Sequence, residues 1–212
     1  MKHISAVPSP PKRKTGRPLS FDRDLALEQA MLAFWRHGYE TTSIADLTAA
    51  MGVTAPSLYT AFGDKKRLFL EAVRRYAGDP EAMAQRIADA PTAYDAVHDM
   101  LIASATAFTG KATPKGCLLA SATATGSTES ADVRRVVAEI RRAIGEQLEA
   151  RIARDVAAGV LPADTNPSTL SWLAMAVIQG MSVLARDGMA RAALLAIADA
   201  ALKAWPNPHL DG

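Results

Sequence analysis

Lys65, Lys66 and Arg67 directly follow Asp64, so three cations fall in the first turn of a helix that Asp64 can cap. Positive charge there opposes the helix dipole. The arrangement makes sense where a phosphate sits among the N–H groups and cations, although an ordinary solvated helix end has the same composition. A second cluster, Lys12, Arg13, Lys14 and Arg17, sets four positive charges within six residues of a proline-rich stretch. It reads as an arm lying along phosphates, or reaching an arginine into a minor groove, or as a solubilising tail. Other chemistry finds little support. His3, His37, His98 and His209 are scattered, and no His-x-x-Glu-His or Cys/His ligand spacing is present, so no metal site is expected. A Gly-rich phosphate loop and a Gly-x-Ser-x-Gly elbow are also missing. The expectation is a protein without catalytic residues and without a cofactor.

Cys117 is the single cysteine, which excludes an intramolecular disulfide and fits a reducing cytoplasm. It precedes Leu118 and Leu119, an apolar setting that does not favour a reactive thiolate. A redox-sensing regulator acting through Cys117 stands as an alternative.

The elements that position the cations are legible from caps and periodicity. Ser43 is an N-cap with Asp46 three residues on, the spacing of a capping box. Ile44, Leu47 and Met51 then share one helical face. Gly52 suits the left-handed residue that ends a helix, and Thr54 caps the next one. Pro56 falls in that helix's first turn, where a missing N–H costs little. Leu58 points inward, while Ala55, Ser57, Tyr59 and Thr60 form a light outer face. A short helix with such a face suits insertion into the major groove of duplex DNA. Upstream, Leu27, Ala30, Met31 and Phe34 mark an amphipathic helix from about Asp22 to His37.

Alanine is abundant, aromatics are scarce and alternating strand patterns are nearly absent, so the chain reads as all-α. Residues 1–19 read as a disordered basic arm, in which Pro8, Pro10, Pro11 and Pro18 block regular structure. Gly78-Asp79-Pro80 marks a boundary, which places one domain at residues 20–78 and a second at 79–212. Residues 1–78 hold 12 Lys/Arg against 7 Asp/Glu, and the remainder holds 12 against 15. A basic head on a mildly acidic body suggests a nucleic-acid end and another task elsewhere. A membrane-surface adaptor using the basic arm is the competing class.

In the second domain, short helices are expected to about Asp89, from Thr92 to Thr109, and within residues 116–126. A long helix spans about 130–158, with Val133, Val137, Ile140, Ile144, Leu148, Ile152 and Val156 on one side. Asn166 caps the next, and Pro167 opens it. Its apolar run, residues 170–185, is shorter than the roughly 20 residues of a membrane span and reads as a buried or interface helix. The N-terminal residues carry no apolar run of the secretory-signal kind.

The stretch from Gly16 to Tyr76 resembles the DNA-binding domain of TetR/AcrR-family transcriptional regulators. The resemblance rests on GRP at 16–18, AMLAFWRHGYETTSIADLTAAMGV at 30–53 and SLYTAFGDKKRLF at 57–69. It implies an N-terminal helix-turn-helix, three-helix DNA-binding domain and a C-terminal helical ligand-binding and dimerisation domain. It also implies that Tyr59 and Lys65 contact phosphate, that Thr42 and Thr54 help at helix N-termini, and that Ala55, Ser57 and Thr60 face bases. Arg17 would belong to the DNA-contacting arm. Two departures stand out: Ala55-Pro56 replaces a larger polar side chain, and Lys66 replaces an acid, so phosphate contact and DNA shape gain weight over base readout. The expected partners are double-stranded DNA, a second copy joined through helices near 130–158 and 167–187, and a small effector. Met100, Ser104, Phe108, Cys117, Trp172, Met175 and Gln179 are the candidate effector lining, and their few charges favour an apolar or aromatic ligand. The expected function is a cytoplasmic, ligand-released repressor bound to a palindromic operator.

Overall fold

The structure is a computed structural model that describes residues 21–121 and 130–206. Ten helices occur among them: α1 (Arg23–His37), α2 (Ile44–Met51), α3 (Ala55–Phe62), α4 (Lys65–Ala77), α5 (Pro80–Asp89), α6 (Ala93–Phe108), α7 (Leu118–Ser121), α8 (Ala131–Ala157), α9 (Pro167–Arg186) and α10 (Arg191–Lys203). The all-α expectation therefore holds. The basic arm, Arg17 included, lies outside the described residues, as does the second half of the short helix expected within 116–126.

Local chemistry sets most helix starts. Asp22 accepts from the N–H groups of Asp24 and Leu25. Ser43 and Asp46 close a reciprocal capping box on α2, and Thr92 and Asp95 do the same on α6. The hydrogen bonds from Ser43 hold the Asp46 carboxyl below the usual carboxylate range. Between α2 and α3, Gly52 adopts φ 65° and ψ 32°, a left-handed conformation that side-chain-bearing residues avoid.

Helices α1 to α4 form the head. Phe34, Leu47, Leu58, Leu68, Phe69 and Val73 are fully buried, and the rings of Phe34 and Phe69 meet edge to face at 5.0 Å. Helices α5 to α10 form the body, in which α9 is packed by α6, α8 and α10. By length and composition alone this apolar helix of 20 residues could cross a bilayer, but 44% of the run is buried inside the body.

Two charged residues of α8, Arg151 and Asp155, are only 6% and 5% exposed. They pair with each other, and Asp155 Oδ2 also accepts from the Ala93 N–H at 2.6 Å. Arg151 Nη2 donates to the carbonyls of Ala90 and Pro91 at 3.0 and 2.7 Å. The ion pair thus ties the α5–α6 corner to α8, satisfying backbone groups that the corner leaves open.

Candidate nucleic-acid interface

Helix α3 presents the light outer face expected of it. Tyr59 is 48% exposed, and Thr54, Pro56 and Thr60 are exposed beside it. Ala55 and Ser57 are half-buried at the edge of the same face. Thr54 Oγ1 lies 2.9 Å from Ser57 Oγ and caps α3 through the Ser57 N–H. Thr60 Oγ1 donates to the Pro56 carbonyl at 2.8 Å. The Thr60 proton is therefore committed within the helix, while its oxygen can still accept a hydrogen bond from outside.

Arg23 fixes the far end of α3. It forms a two-pronged ion pair with Glu71 of α4, at 2.6 and 2.8 Å, and donates to the Ala61 carbonyl at 3.3 Å. Its guanidinium also lies 4.4 Å from the centre of the Phe62 ring. One side chain thus joins the start of α1, the end of α3 and the middle of α4. The motif pattern carried no signal for this role, because Arg23 lies 48 residues from its partner.

The three cations at the start of α4 do not converge on one point. Lys65 bends back to donate to the Glu40 carbonyl at 3.2 Å, with its ammonium 4.8 Å from the Tyr39 ring centre. Burial pushes its pKa below the ordinary lysine value, partly offset by Glu40 and Asp46. Lys66 turns away to pair with Asp132 at the start of α8, holding that carboxyl below its usual range. Arg67 lies 3.8 Å from Asp64. Lys65 is thereby held beside the α1–α2 turn.

Thr42 requires a correction. It is 1% exposed, and its hydroxyl donates inward to the Gly38 carbonyl at 2.6 Å. It closes the turn after α1 and is not placed to touch a phosphate. Its exposed neighbour Thr41 bonds the His37 carbonyl. Adjacent threonines give no sequence signal as to which one faces inward.

The head is fastened to the body at several points. Trp35 and Tyr76 stack edge to face at 4.9 Å, and the Tyr76 hydroxyl donates to Cys117 Sγ at 3.3 Å. Burial first, and then Cys117, push the Tyr76 phenol well above its ordinary pKa. Arg186 of α9 donates to the Trp35 carbonyl of α1 at 2.6 Å.

The seven candidate effector residues lie at different depths in the body. Phe108, Cys117 and Met175 are core residues, while Met100, Ser104 and Gln179 are half-buried. Trp172 stands on the outer side of α9, exposed at one edge, with its ring against Gly145 of α8. The close approach of α8 and α9 there is locked by Ser171 Oγ, which donates to the Gly145 carbonyl at 2.6 Å.

Known proteins are similar to this chain in sequence and in fold. The family model described as bacterial regulatory proteins, tetR family, matches residues 26–72, and the one described as tetracyclin repressor-like, C-terminal domain, matches residues 93–201. The HTH-type transcriptional repressor ComR of Escherichia coli K12 is 38% identical over 199 residues, covering 92% of this chain and 94% of its own. A cysteine-substituted form of the TetR family transcriptional regulator CifR, solved with a 26-base-pair double-strand operator DNA, is 41% identical with a TM-score of 0.84. That match covers 90% of this chain and all of CifR. A putative TetR transcriptional regulator from Rhodococcus sp. RHA1 is 36% identical, with a TM-score of 0.60, over 86% of this chain and 98% of its own. A capped helix pair with an outward tyrosine, a helical body locked behind it and relatives matched along nearly their whole length lead to one conclusion: this chain is a DNA-binding transcriptional regulator of the TetR family.

Proposed function

We propose that the protein is a cytoplasmic repressor that binds a palindromic operator as a homodimer and releases it when the body takes up a small molecule. The observation that carries the reading is the exposed α3 face, with Tyr59 at its centre, on a head fastened to a helical body. Repression and operator binding are supported by relatives that match this chain almost throughout, the repressor ComR and CifR solved with its operator DNA.

In this reading Tyr59 and Lys65 grip phosphates, and Thr54, Ala55, Ser57 and Thr60 meet the groove. Thr42 holds the turn beneath them. Small hydroxyl and methyl groups read few base edges, so phosphate contact and DNA shape carry much of the affinity. Arg17 and the three basic residues before it would add phosphate contacts along the flank.

The dimer reading rests on the outer faces of α8 and α9. Trp172, Leu173 and Val183 are exposed on α9, with Ala176 and Gly180 exposed between them. On α8, Ala143, Ala150, Ala153 and Ala157 are exposed at matching spacings. Small residues between large apolar ones let two helix pairs approach closely in a four-helix bundle. Two heads are needed because one short helix reads only a few base pairs. The effector acts by binding one spacing of the heads more tightly than the other.

Selection of bound genomic fragments, followed by gel shifts across salt, tests the reading. The expected result is one palindromic site, bound with an affinity that falls steeply with salt. Tyr59→Ala and Lys65→Ala should each weaken binding about tenfold, the loss of a charge-assisted phosphate contact. Unchanged affinity in both variants would remove the phosphate-contact assignment.

A further inference from the structure

The C-terminal ends of α6 and α9 and the first turn of α10 enclose an open depression of about 400 Å³. Lys111, Lys115 and Arg191 line it, with Thr109 between them and Ala185 and Met189 as apolar floor. No carboxylate is among its lining residues. None of the three cations has an ion-pair partner among the described residues.

The hydrogen bonds these cations make anchor them without neutralising them. Lys115 Nζ donates to the Thr109 and Gly110 carbonyls at 2.9 and 3.3 Å, which leaves one of its N–H groups over. Arg191 Nε donates to Thr109 Oγ1 at 2.9 Å and Nη2 to the Thr106 carbonyl at 3.3 Å, which leaves Nη1 and part of Nη2 unused. Lys111 is exposed and makes no hydrogen bond among the described residues. Three like charges around a concave surface repel one another and focus their field inward, a cost that a bound anion removes. Guanidinium and ammonium donors with an adjoining apolar floor match an oxyanion carried on a short apolar chain.

We propose that this depression is a binding site for a small organic anion, its carboxylate or phosphate held by Lys111, Lys115 and Arg191 and its apolar part lying on Ala185 and Met189. The location gives binding a route to the head. Lys115 adjoins Gly116, whose backbone is at φ +74° and so close to α9 that an added Cβ would lie 2.6 Å from Arg186 Cγ and 2.7 Å from the Ser182 carbonyl. The next residue, Cys117, donates its N–H to Ser182 Oγ at 2.8 Å and accepts from Tyr76 of α4. Arg186, on the same turn of α9, holds the Trp35 carbonyl of α1. An anion that draws Lys115 off the Thr109 and Gly110 carbonyls therefore pulls on residues 115–117, the strap that leads into α7, against which α1 and α4 rest. This coupling, unlike the binding itself, rests on the reading of the chain as a ligand-switched regulator.

The test is calorimetric titration of the full chain with octanoate and with octyl phosphate, against 1-octanol and inorganic phosphate, followed by the same titrations on Lys111→Ala and Lys111→Glu. The site predicts one amphiphilic anion per protomer and at least about tenfold weaker binding of 1-octanol. Lys111→Ala should weaken the anion about tenfold, as expected for one charge-assisted contact, and Lys111→Glu should abolish binding. Both variants should keep the parent's unfolding midpoint, since Lys111 holds nothing in place. Comparison of octanoate with octyl phosphate tells which oxyanion the site takes. Equal binding of 1-octanol, or anion binding indifferent to both Lys111 variants, would overturn the proposal. A gel shift separates it from the regulator reading. Anion binding through Lys111 in a protein that selects no operator leaves the site standing and removes that reading. Anion binding that leaves operator affinity unchanged refutes the coupling.

Discussion

The buried pair Arg151–Asp155 allows a stability prediction worked from its contacts. Asp155→Asn keeps an amide oxygen to accept the Ala93 N–H but removes the charge that Arg151 faces. Removing one partner of a buried pair strands the other charge, at a cost of about 3–5 kcal/mol. Arg151 retains its bonds to the Ala90 and Pro91 carbonyls, so the lower end, about 3 kcal/mol, is expected. Asp155→Ala also orphans the Ala93 N–H, which adds about 1–3 kcal/mol. For a chain of this size about 3 kcal/mol corresponds to roughly 6–12 °C in melting temperature. Urea unfolding followed by circular dichroism measures the loss, with an unchanged slope against urea showing that the same surface unfolds. Below the transition, operator affinity should stay within about twofold of the parent, because one contact's worth is tenfold and none is lost from α2 or α3. A loss under about 1 kcal/mol in both variants would refute the reasoning, since that is the worth of an exposed pair.

Further expectations concern the strap, the body and the arm. Gly116→Ala should destabilise by more than about 2 kcal/mol, because φ is positive and the new methyl meets the Ser182 carbonyl; an unchanged unfolding midpoint would show that the strap relaxes freely. The raised Tyr76 phenol contributes stability that is fully present below its unfolded pKa of 10.0 and is lost progressively as pH rises above it. Alkaline unfolding should therefore steepen above about pH 10 in the parent and not in Tyr76→Phe. If two copies pair through α8 and α9 as proposed, the parent should sediment as a dimer at micromolar concentration and Leu173→Glu as a monomer with lower operator affinity, without loss of helical signal. Replacing Lys12, Arg13, Lys14 and Arg17 by serine should reduce the slope of log affinity against log salt by roughly 3 to 4 for each protomer, the value for four phosphate charges; an unchanged slope would make the arm a solubilising tail.

The sequence by itself determined what depends on neighbours along the chain. Ser43 with Asp46, Thr54 with Ser57, Gly52 and the stripes of α1 and α8 act over three to seven residues, so caps, helix limits and the light face of α3 were legible in advance. The family motif was legible for the same reason: its spacing is local and dense. Tertiary structure decided whatever depends on a partner far along the chain. Lys66 looked like a phosphate cation until α8 brought Asp132 to it, 66 residues away. Thr41 and Thr42 are chemically alike, and only the turn beneath them buries one. Arg151 and Asp155 resemble any solvated helical pair, yet the α5–α6 corner closes over them. The depression around Lys111, Lys115 and Arg191 is built from the ends of helices whose cations lie up to 80 positions apart. Periodicity states which face of a helix is apolar, but packing alone assigns each long-range partner, because burial and charge pairing are properties of the space between helices.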